Sequence, residues 1–323
     1  MSFKDILGKP VAVKTLRNTL ASGRLSGTYL FSGPAGVGKR FMARTLAKAL
    51  NCEKMREDAC EVCLSCRKIE AGNHPDLLWI EPAEKSTSIS IESIRFLKKD
   101  LALKPWEGRR RVVVLIEAER ATEEAQNAFL KMLEETPEST LIILTSVKTE
   151  GILPTVLSRC KQVRFEGLAS MDIQEFLKKR GASAEEAAVL SRLAHGSLGK
   201  ALSMKEENFL EKRLDVFNHF LDRAYHIDEE RDFFSEKEKV GPALDLLTSW
   251  YRDLWVVKEG GKEELLLHED RFADLEKESG HWSTDALFEA LSELLLAQDH
   301  LEHHVNLKIL LSLLARRVKA LRG

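Results

Sequence analysis

Two short stretches of this chain carry residue types that could do chemistry, and they lie close together. The first is Gly33-Pro34-Ala35-Gly36-Val37-Gly38-Lys39, which follows the apolar run Tyr29-Leu30-Phe31 and leads into a helical pattern over Phe41 to Leu50. Strand, glycine-rich turn and helix in that order make a phosphate-binding loop. The glycines let backbone N–H groups converge on phosphate oxygens, and the lysine neutralises the terminal phosphates. A hydrolase needs Ser or Thr next, because that hydroxyl ligates Mg²⁺. Here the position is Arg40, and a cation cannot ligate a cation. The loop could hold a nucleotide but is poorly equipped to hydrolyse one.

The second stretch is Cys52-x7-Cys60-x2-Cys63-x2-Cys66. Such short steps fold the chain around one ion, and four thiolates suit tetrahedral Zn²⁺. A disulfide pair or four small buried residues are the plainer readings, but the clustering fits metal binding in a reducing compartment better. Four thiolates would close the shell and leave no position for water, so this zinc would be structural.

A third position bears on the first. In nucleotide hydrolases an apolar strand ends in Asp-Glu, the Asp near Mg²⁺ and the Glu activating water. Here the strand runs Val114-Leu115-Ile116-Glu117-Ala118-Glu119, so Ile116 stands where the Asp would be. With Arg40, that is a second lost metal contact, and a site dead to hydrolysis is expected.

These residues need a scaffold, and the pattern supplies one. Apolar runs at Leu77–Ile80, Val112–Ile116, Leu141–Leu144 and Val163–Phe165 read as strands. Between them lie helical patterns: Val11, Val13, Leu16 and Leu20, ended by Gly23; Ile91, Ile94, Leu97 and Leu101; and a helix capped by Thr122 that stops before Pro137. Short apolar strands alternating with helices predict a parallel sheet covered on both faces. Arg109-Arg110-Arg111 reads as a solvated turn before a strand.

After Phe165 the pattern turns helical throughout, with Gly260-Gly261 and Gly280 separating helices. The last helix carries Leu307, Leu310, Leu311, Leu314, Val318 and Leu321 on one stripe, expected to be a packing surface partly buried within its own domain. Trp250, Trp255 and Trp282 read as core. His300, His303 and His304 share a helical face and read as a solvated surface.

Composition sets the outer limits. The chain has 323 residues, 44% hydrophobic and 31% charged, long enough for two or three domains. A formal net charge of −2 argues against a protein that wraps nucleic acid unaided. No apolar stretch approaches the roughly 20 residues of a membrane span, and Met1-Ser2-Phe3-Lys4-Asp5 lacks a signal-peptide core, so a cytoplasmic location is expected.

Taken with His74-Pro75-Asp76-Leu77, Lys104-Pro105-Trp106-Glu107-Gly108, Asn127-Ala128-Phe129-Leu130-Lys131, Leu133-Glu134-Glu135 and Leu157-Ser158-Arg159-Cys160, these motifs resemble the bacterial replicative clamp-loader AAA+ family over nearly the whole chain. The likeness is greatest to its non-hydrolysing stator subunits.

The resemblance implies an AAA+ nucleotide-binding-like module at 1–166 with a zinc module at 52–66, a helical lid at 167–207 and an all-α oligomerising collar at 208–323. It implies that Arg159 acts as an arginine finger on ATP held by a neighbouring subunit, a task that suits a permanently charged guanidinium. Gly33, Gly36, Gly38 and Lys39 would be the nucleotide loop, possessed but not necessarily filled. Gly199 falls where motor subunits carry an arginine towards the γ-phosphate. The implied partners are gamma/tau and delta subunits and, through the assembly, a sliding clamp and primed DNA.

Overall fold

The protein's computed structural model describes residues 2–23, 25–55, 57–82, 88–101, 104–222, 237–302 and 305–322. His303 and His304 lie outside them. The chain divides into two compact units, one of residues 1–173 and 194–200, the other of 174–193 and 201–323.

The first unit is built on a five-stranded parallel sheet: β1 (Gly27–Ser32), β2 (Leu77–Ile80), β3 (Arg111–Leu115), β4 (Thr140–Ser146) and β5 (Lys161–Arg164), in the order β2-β3-β4-β1-β5. Period-two alternation sorts side chains onto its faces. Tyr29, Phe31, Val112, Val114, Leu141 and Ile143 join one core cluster, with Leu16 of α1 (Pro10–Ala21) and Met42 and Leu46 of α2 (Lys39–Asn51). Leu30, Val113, Leu115, Ile142 and Leu144 join another, with Ile94 and Leu97 of α4 (Ile91–Leu101) and Phe129 and Met132 of α5 (Glu123–Glu134). Both faces are covered, which explains why the strands read as continuous apolar runs.

Between α2 and β2 lies the short helix α3 (Leu64–Glu70); α6 (Pro154–Leu157) precedes β5. Thr122 caps α5 as the sequence predicts, its hydroxyl accepting from the Ala125 N–H.

Two expectations need correcting in this unit. Val11 is exposed, because the buried stripe of α1 runs through Ala12, Leu16 and Leu20. Arg111 is not solvated: it opens β3 fully buried and pairs with buried Asp76, N to O 3.6 Å. The charged partner explains how an arginine occupies a core strand.

The second unit is helical: α8 (Ala184–Leu193), α10 (Phe209–Asp222), α11 (Lys237–Lys258), α12 (Phe272–Ser279), α13 (Thr284–Glu302) and α14 (Leu307–Leu321). Helices α7 (Ser170–Lys179) and α9 (Leu198–Glu206) span its sequence boundaries. Trp250, Tyr251 and Trp282 anchor its core, and Trp255 packs partly buried against it. The terminal stripe is largely internal: Leu310, Leu311, Leu314 and Val318 are buried in the same core, while Ile309 and Leu313, off the stripe, are exposed. A single helix can satisfy its apolar face within its own domain, and α13 is its main partner. Among the described residues no helix is long and apolar enough to cross a membrane.

Candidate functional site: the two ends of the sheet

The phosphate loop leaves the C-terminal end of β1. Gly33 and Gly36 adopt φ of 146° and 69°, in the region that favours glycine. Space demands it too: a Cβ on Gly33 would lie 2.0 Å from the Phe165 carbonyl oxygen, and one on Gly36 would lie 2.2 Å from Ser197 Oγ. Gly199 donates its N–H to the Gly36 carbonyl at 2.9 Å, and a Cβ there would approach Gly36 Cα to 3.0 Å. This close approach gives the position a reason to be glycine.

Lys39 is buried and turns back on its own loop, its Nζ donating to the carbonyls of Gly33 and Pro34. Burial holds its ammonium below the usual lysine range, against the opposing pull of Glu119 and Glu117. Arg40 turns away from the loop. It grips Glu81 with two bonds, at 2.9 and 2.6 Å, and its guanidinium lies 4.9 Å from the centre of the Trp79 ring. Arg44 lies 5.6 Å from the same ring.

The strand-end acid is engaged as well. Glu117 sits at φ 52°, accepts from Arg120 Nη1 at 2.7 Å and is preceded by half-buried Ile116. Glu119 accepts the Val147 N–H at 2.8 Å. The glycine-rich turn therefore has the backbone form of a phosphate loop, with Lys39 held on its own carbonyls, and the positions where a hydrolase would hold metal are a guanidinium, an isoleucine and a carboxylate held by another arginine.

The N-terminal end of the sheet holds the cysteines. Cys52 follows α2 and Cys63 caps α3, and the four Sγ atoms of Cys52, Cys60, Cys63 and Cys66 lie within 4.8 Å of one another. N–H groups of Met55, Cys63 and Cys66 point at Sγ of Cys52, Cys60 and Cys63, at 3.3, 3.3 and 3.4 Å. Thiolates want such donors, and the S···S spacing suits one tetrahedral ion with metal–sulfur bonds near 2.3 Å. Burial opposes ionisation of Cys60, yet the N–H bonds from Val62 and Cys63 and the neighbouring thiols bring it down to about 6. Burial and Cys63 push Cys66 up. The cluster could hold a metal ion.

A polar chain that sequence reasoning missed runs from this cluster into the sheet. Ser65 Oγ meets His74 Nε2 at 3.2 Å, and His74 Nδ1 accepts the Asp76 N–H at 3.1 Å, so Nε2 carries the proton. The buried Asp76 carboxylate then accepts the N–H groups of Trp106, Glu107 and Gly108 at 2.7, 2.9 and 2.7 Å. Burial alone would raise its pKa; the three N–H bonds and the Arg111 charge hold it below the usual carboxylate range. His74-Pro75-Asp76 and Lys104 to Gly108 were visible as motifs; that one carboxylate joins them was not.

Arg159 enters the same end of the sheet, in the exposed turn before β5. Its Nε and Nη2 donate to Glu134 Oε1 at 2.9 and 2.5 Å, and Nη1 donates to the Thr155 carbonyl at 2.9 Å. Cys160 is half-buried and its thiol is pushed up to about 11 by burial. The structure thus brings Gly33, Gly36, Gly38 and Lys39 together, gathers the four cysteines, and leaves Arg159 apart from both groups.

A five-stranded parallel sheet with this strand order and a glycine-rich loop after β1 defines an AAA+-type module. Residues 8–169, half of the chain, match the family described as "DNA polymerase III, delta subunit", and residues 207–319 match "DNA polymerase III, delta subunit, C terminal". The chain belongs to the DNA polymerase III delta subunit family. It is 28% identical to DNA polymerase III subunit delta' of Bacillus subtilis over 308 residues, 93% of each chain. It is also 36% identical to DNA polymerase III subunit tau of Escherichia coli over 213 residues, 64% of this chain and 33% of the relative, so it spans about a third of that protein. Among solved structures, a gamma subunit-related protein of Thermotoga maritima has a similar fold, with a TM-score of 0.51 at 18% identity over 97% of this chain and 100% of that one.

Proposed function

We propose that the chain is a delta-prime-type subunit of the DNA polymerase III clamp loader, which does not hydrolyse ATP itself and offers Arg159 to nucleotide held by a neighbouring motor subunit. The position of Arg159 carries this reading. β1 and β5 run parallel, with Tyr29 opposite Lys161 and Ser32 opposite Arg164. The phosphate loop departs from one end of this pair and Arg159 arrives at the other. On that register they are about six residue steps apart, or about 20 Å. An arginine that far from its own loop cannot reach that loop's phosphates, and its exposure supports service to those of another chain.

The rest of the reading follows from the sites described. Gly33, Gly36, Gly38 and Lys39 form a loop suited to nucleotide as a static ligand only. Cys52, Cys60, Cys63 and Cys66 hold one structural Zn²⁺, which pins the segment between α2 and β2. Residues 1–166 serve as the AAA+ module, 167–207 as a lid and 208–323 as the collar. Exposed Phe288, Leu295 and Leu296 of α13 and Ile309 and Leu313 of α14 offer the collar an apolar surface for its neighbours. The partners are gamma/tau and delta subunits, with the sliding clamp and primed DNA engaged through the assembly, in the cytoplasm.

The test is reconstitution with motor and delta subunits. The isolated chain should show no ATP turnover above background. With Arg159→Ala the assembly should still form, while clamp- and DNA-stimulated hydrolysis falls several-fold. Arginines supplied in trans contribute on the order of 10³–10⁵ at the site they serve, and the other sites, with their own arginines, dilute the loss. Normal hydrolysis and loading with Arg159→Ala, or turnover by the isolated chain, would overturn the reading.

A further inference from the structure

We propose that Glu134 is a latch that competes with a neighbour's nucleotide for Arg159, an inference that rests on the trans-acting role given to that arginine above. The edge formed by Nε and Nη2 is the one with which a guanidinium grips two oxygens of a carboxylate or a phosphate. That edge is filled by Glu134 Oε1, at 2.9 and 2.5 Å. The remaining nitrogen, Nη1, donates to the Thr155 carbonyl at 2.9 Å and reaches Ser158 Oγ at 3.4 Å. A phosphate can engage this arginine through its chelating edge only by displacing the carboxylate.

Glu134 is placed to be displaced. It is the last residue of α5, where unsatisfied carbonyls give the helix end a partial negative charge, so its carboxylate sits at the unfavourable pole. The guanidinium offsets that repulsion and holds the side chain there. Both partners are exposed, Glu134 more than Arg159, so a released carboxylate returns to water and is not stranded in a core. An exposed pair of this kind shifts an equilibrium by about fivefold at most. The exchange of carboxylate for phosphate is therefore nearly balanced. With the neighbouring site empty Arg159 returns to Glu134; with it filled, the phosphate charge wins.

Glu134 is on this view a positioning residue, and its substitution has a direction. In the reconstituted assembly, Glu134→Gln should lower the KM for ATP by about two- to fivefold with kcat unchanged, because the competitor has lost its charge. Glu134→Asp, which keeps the charge, should stay nearer the wild-type KM. In an Arg159→Ala background, Glu134→Gln should change nothing further. An unchanged KM, or a fall in kcat, would overturn the latch; the latter would mean that Glu134 presents the arginine and does not restrain it. If Arg159→Ala itself leaves hydrolysis normal, the trans-acting role fails and the latch with it. A slow Arg159→Ala with a silent Glu134→Gln removes the latch alone.

Discussion

The two ends of the sheet have been furnished in opposite ways. At the C-terminal end the phosphate loop keeps its glycines and lysine, but each polar group is occupied locally: Lys39 by its own loop carbonyls, Arg40 by Glu81, Glu117 by Arg120. At the N-terminal end the cysteine cluster, His74, Asp76 and Arg111 form a continuous chain that ties four separate segments together. One end preserves the shape of a catalytic site without its metal positions; the other carries structural weight and presents Arg159 to solvent. On the function proposed above, the loop keeps its architecture while a neighbouring subunit supplies the hydrolytic chemistry.

The comparison breaks most readily at the cysteines. Chelation, or Cys63→Ser, should unfold residues 52–70, since metal-coupled folding of such modules carries about 10–16 kcal/mol of apparent binding free energy. The loosening should reach α2, because buried Lys48 donates to Glu61 and is paired with Glu70. Elemental analysis should return one zinc per chain, and proteolysis after chelation should cut within 52–70. A metal-free protein with an intact segment would remove the cluster from the argument.

Asp76 should come next. Asp76→Ala removes the carboxylate that faces the buried Arg111 charge and accepts three N–H groups, and breaking a buried pair from one side costs about 3–5 kcal/mol. Denaturant melts should show it. A loss below about 1 kcal/mol would mean that the N-terminal end is no more tightly built than a surface ion pair.

The second unit gives a smaller effect that depends on pH. His268 is fully buried and accepts at Nδ1 from Arg213 at 3.5 Å, while Nε2 donates to Ser249 Oγ at 2.8 Å; that hydroxyl itself donates to the Leu246 carbonyl. Burial, then the Arg213 charge, lowers His268 to about 3, with Asp270 opposing. Arg252 and Arg271 add to the lowering, and Asp253 accepts the His268 N–H nearby. The unfolded imidazole titrates near 6.5. Between these values the unfolded chain binds the proton and the folded chain does not, so stability rises with pH, by about 1.4 kcal/mol per unit at most from this residue. His268→Gln should flatten that slope between pH 4 and 6; an unchanged slope would show that the ring is protonated in the fold.

The smallest effect is expected at the phosphate loop. Lys39→Ala should leave hydrolysis by the reconstituted assembly within about twofold, whereas Arg159→Lys, which keeps the charge but loses the planar fork, should not. Equal losses from the two would erase the contrast between the ends of the sheet.

Much of this was legible in the residues. The strands stood out because both faces are covered, which leaves Val112 to Leu115 without a polar interruption. The cysteines were legible because metal ligation needs short, local spacing. Arg111 was not, since a run of three arginines looks like surface until Asp76, far back in the chain, is brought against it. Glu134 and Arg159 lie 25 positions apart with a strand between them, and nothing local to either marks the pair. The Leu307–Leu321 stripe was visible as a stripe, but periodicity does not say whether a domain or a neighbour covers it.

The Asp76 carboxylate has one more consequence, and it concerns time. Trp106 is 71% exposed and belongs to an irregular surface loop, the kind whose amides normally exchange with solvent within moments. Yet the amides of Trp106, Glu107 and Gly108 all end on a carboxylate that solvent does not touch. Deuterium can enter there only when the loop lets go of that buried carboxylate. Those three amides should therefore exchange more slowly than the rest of the loop, making them reporters of how often the loop parts from the sheet.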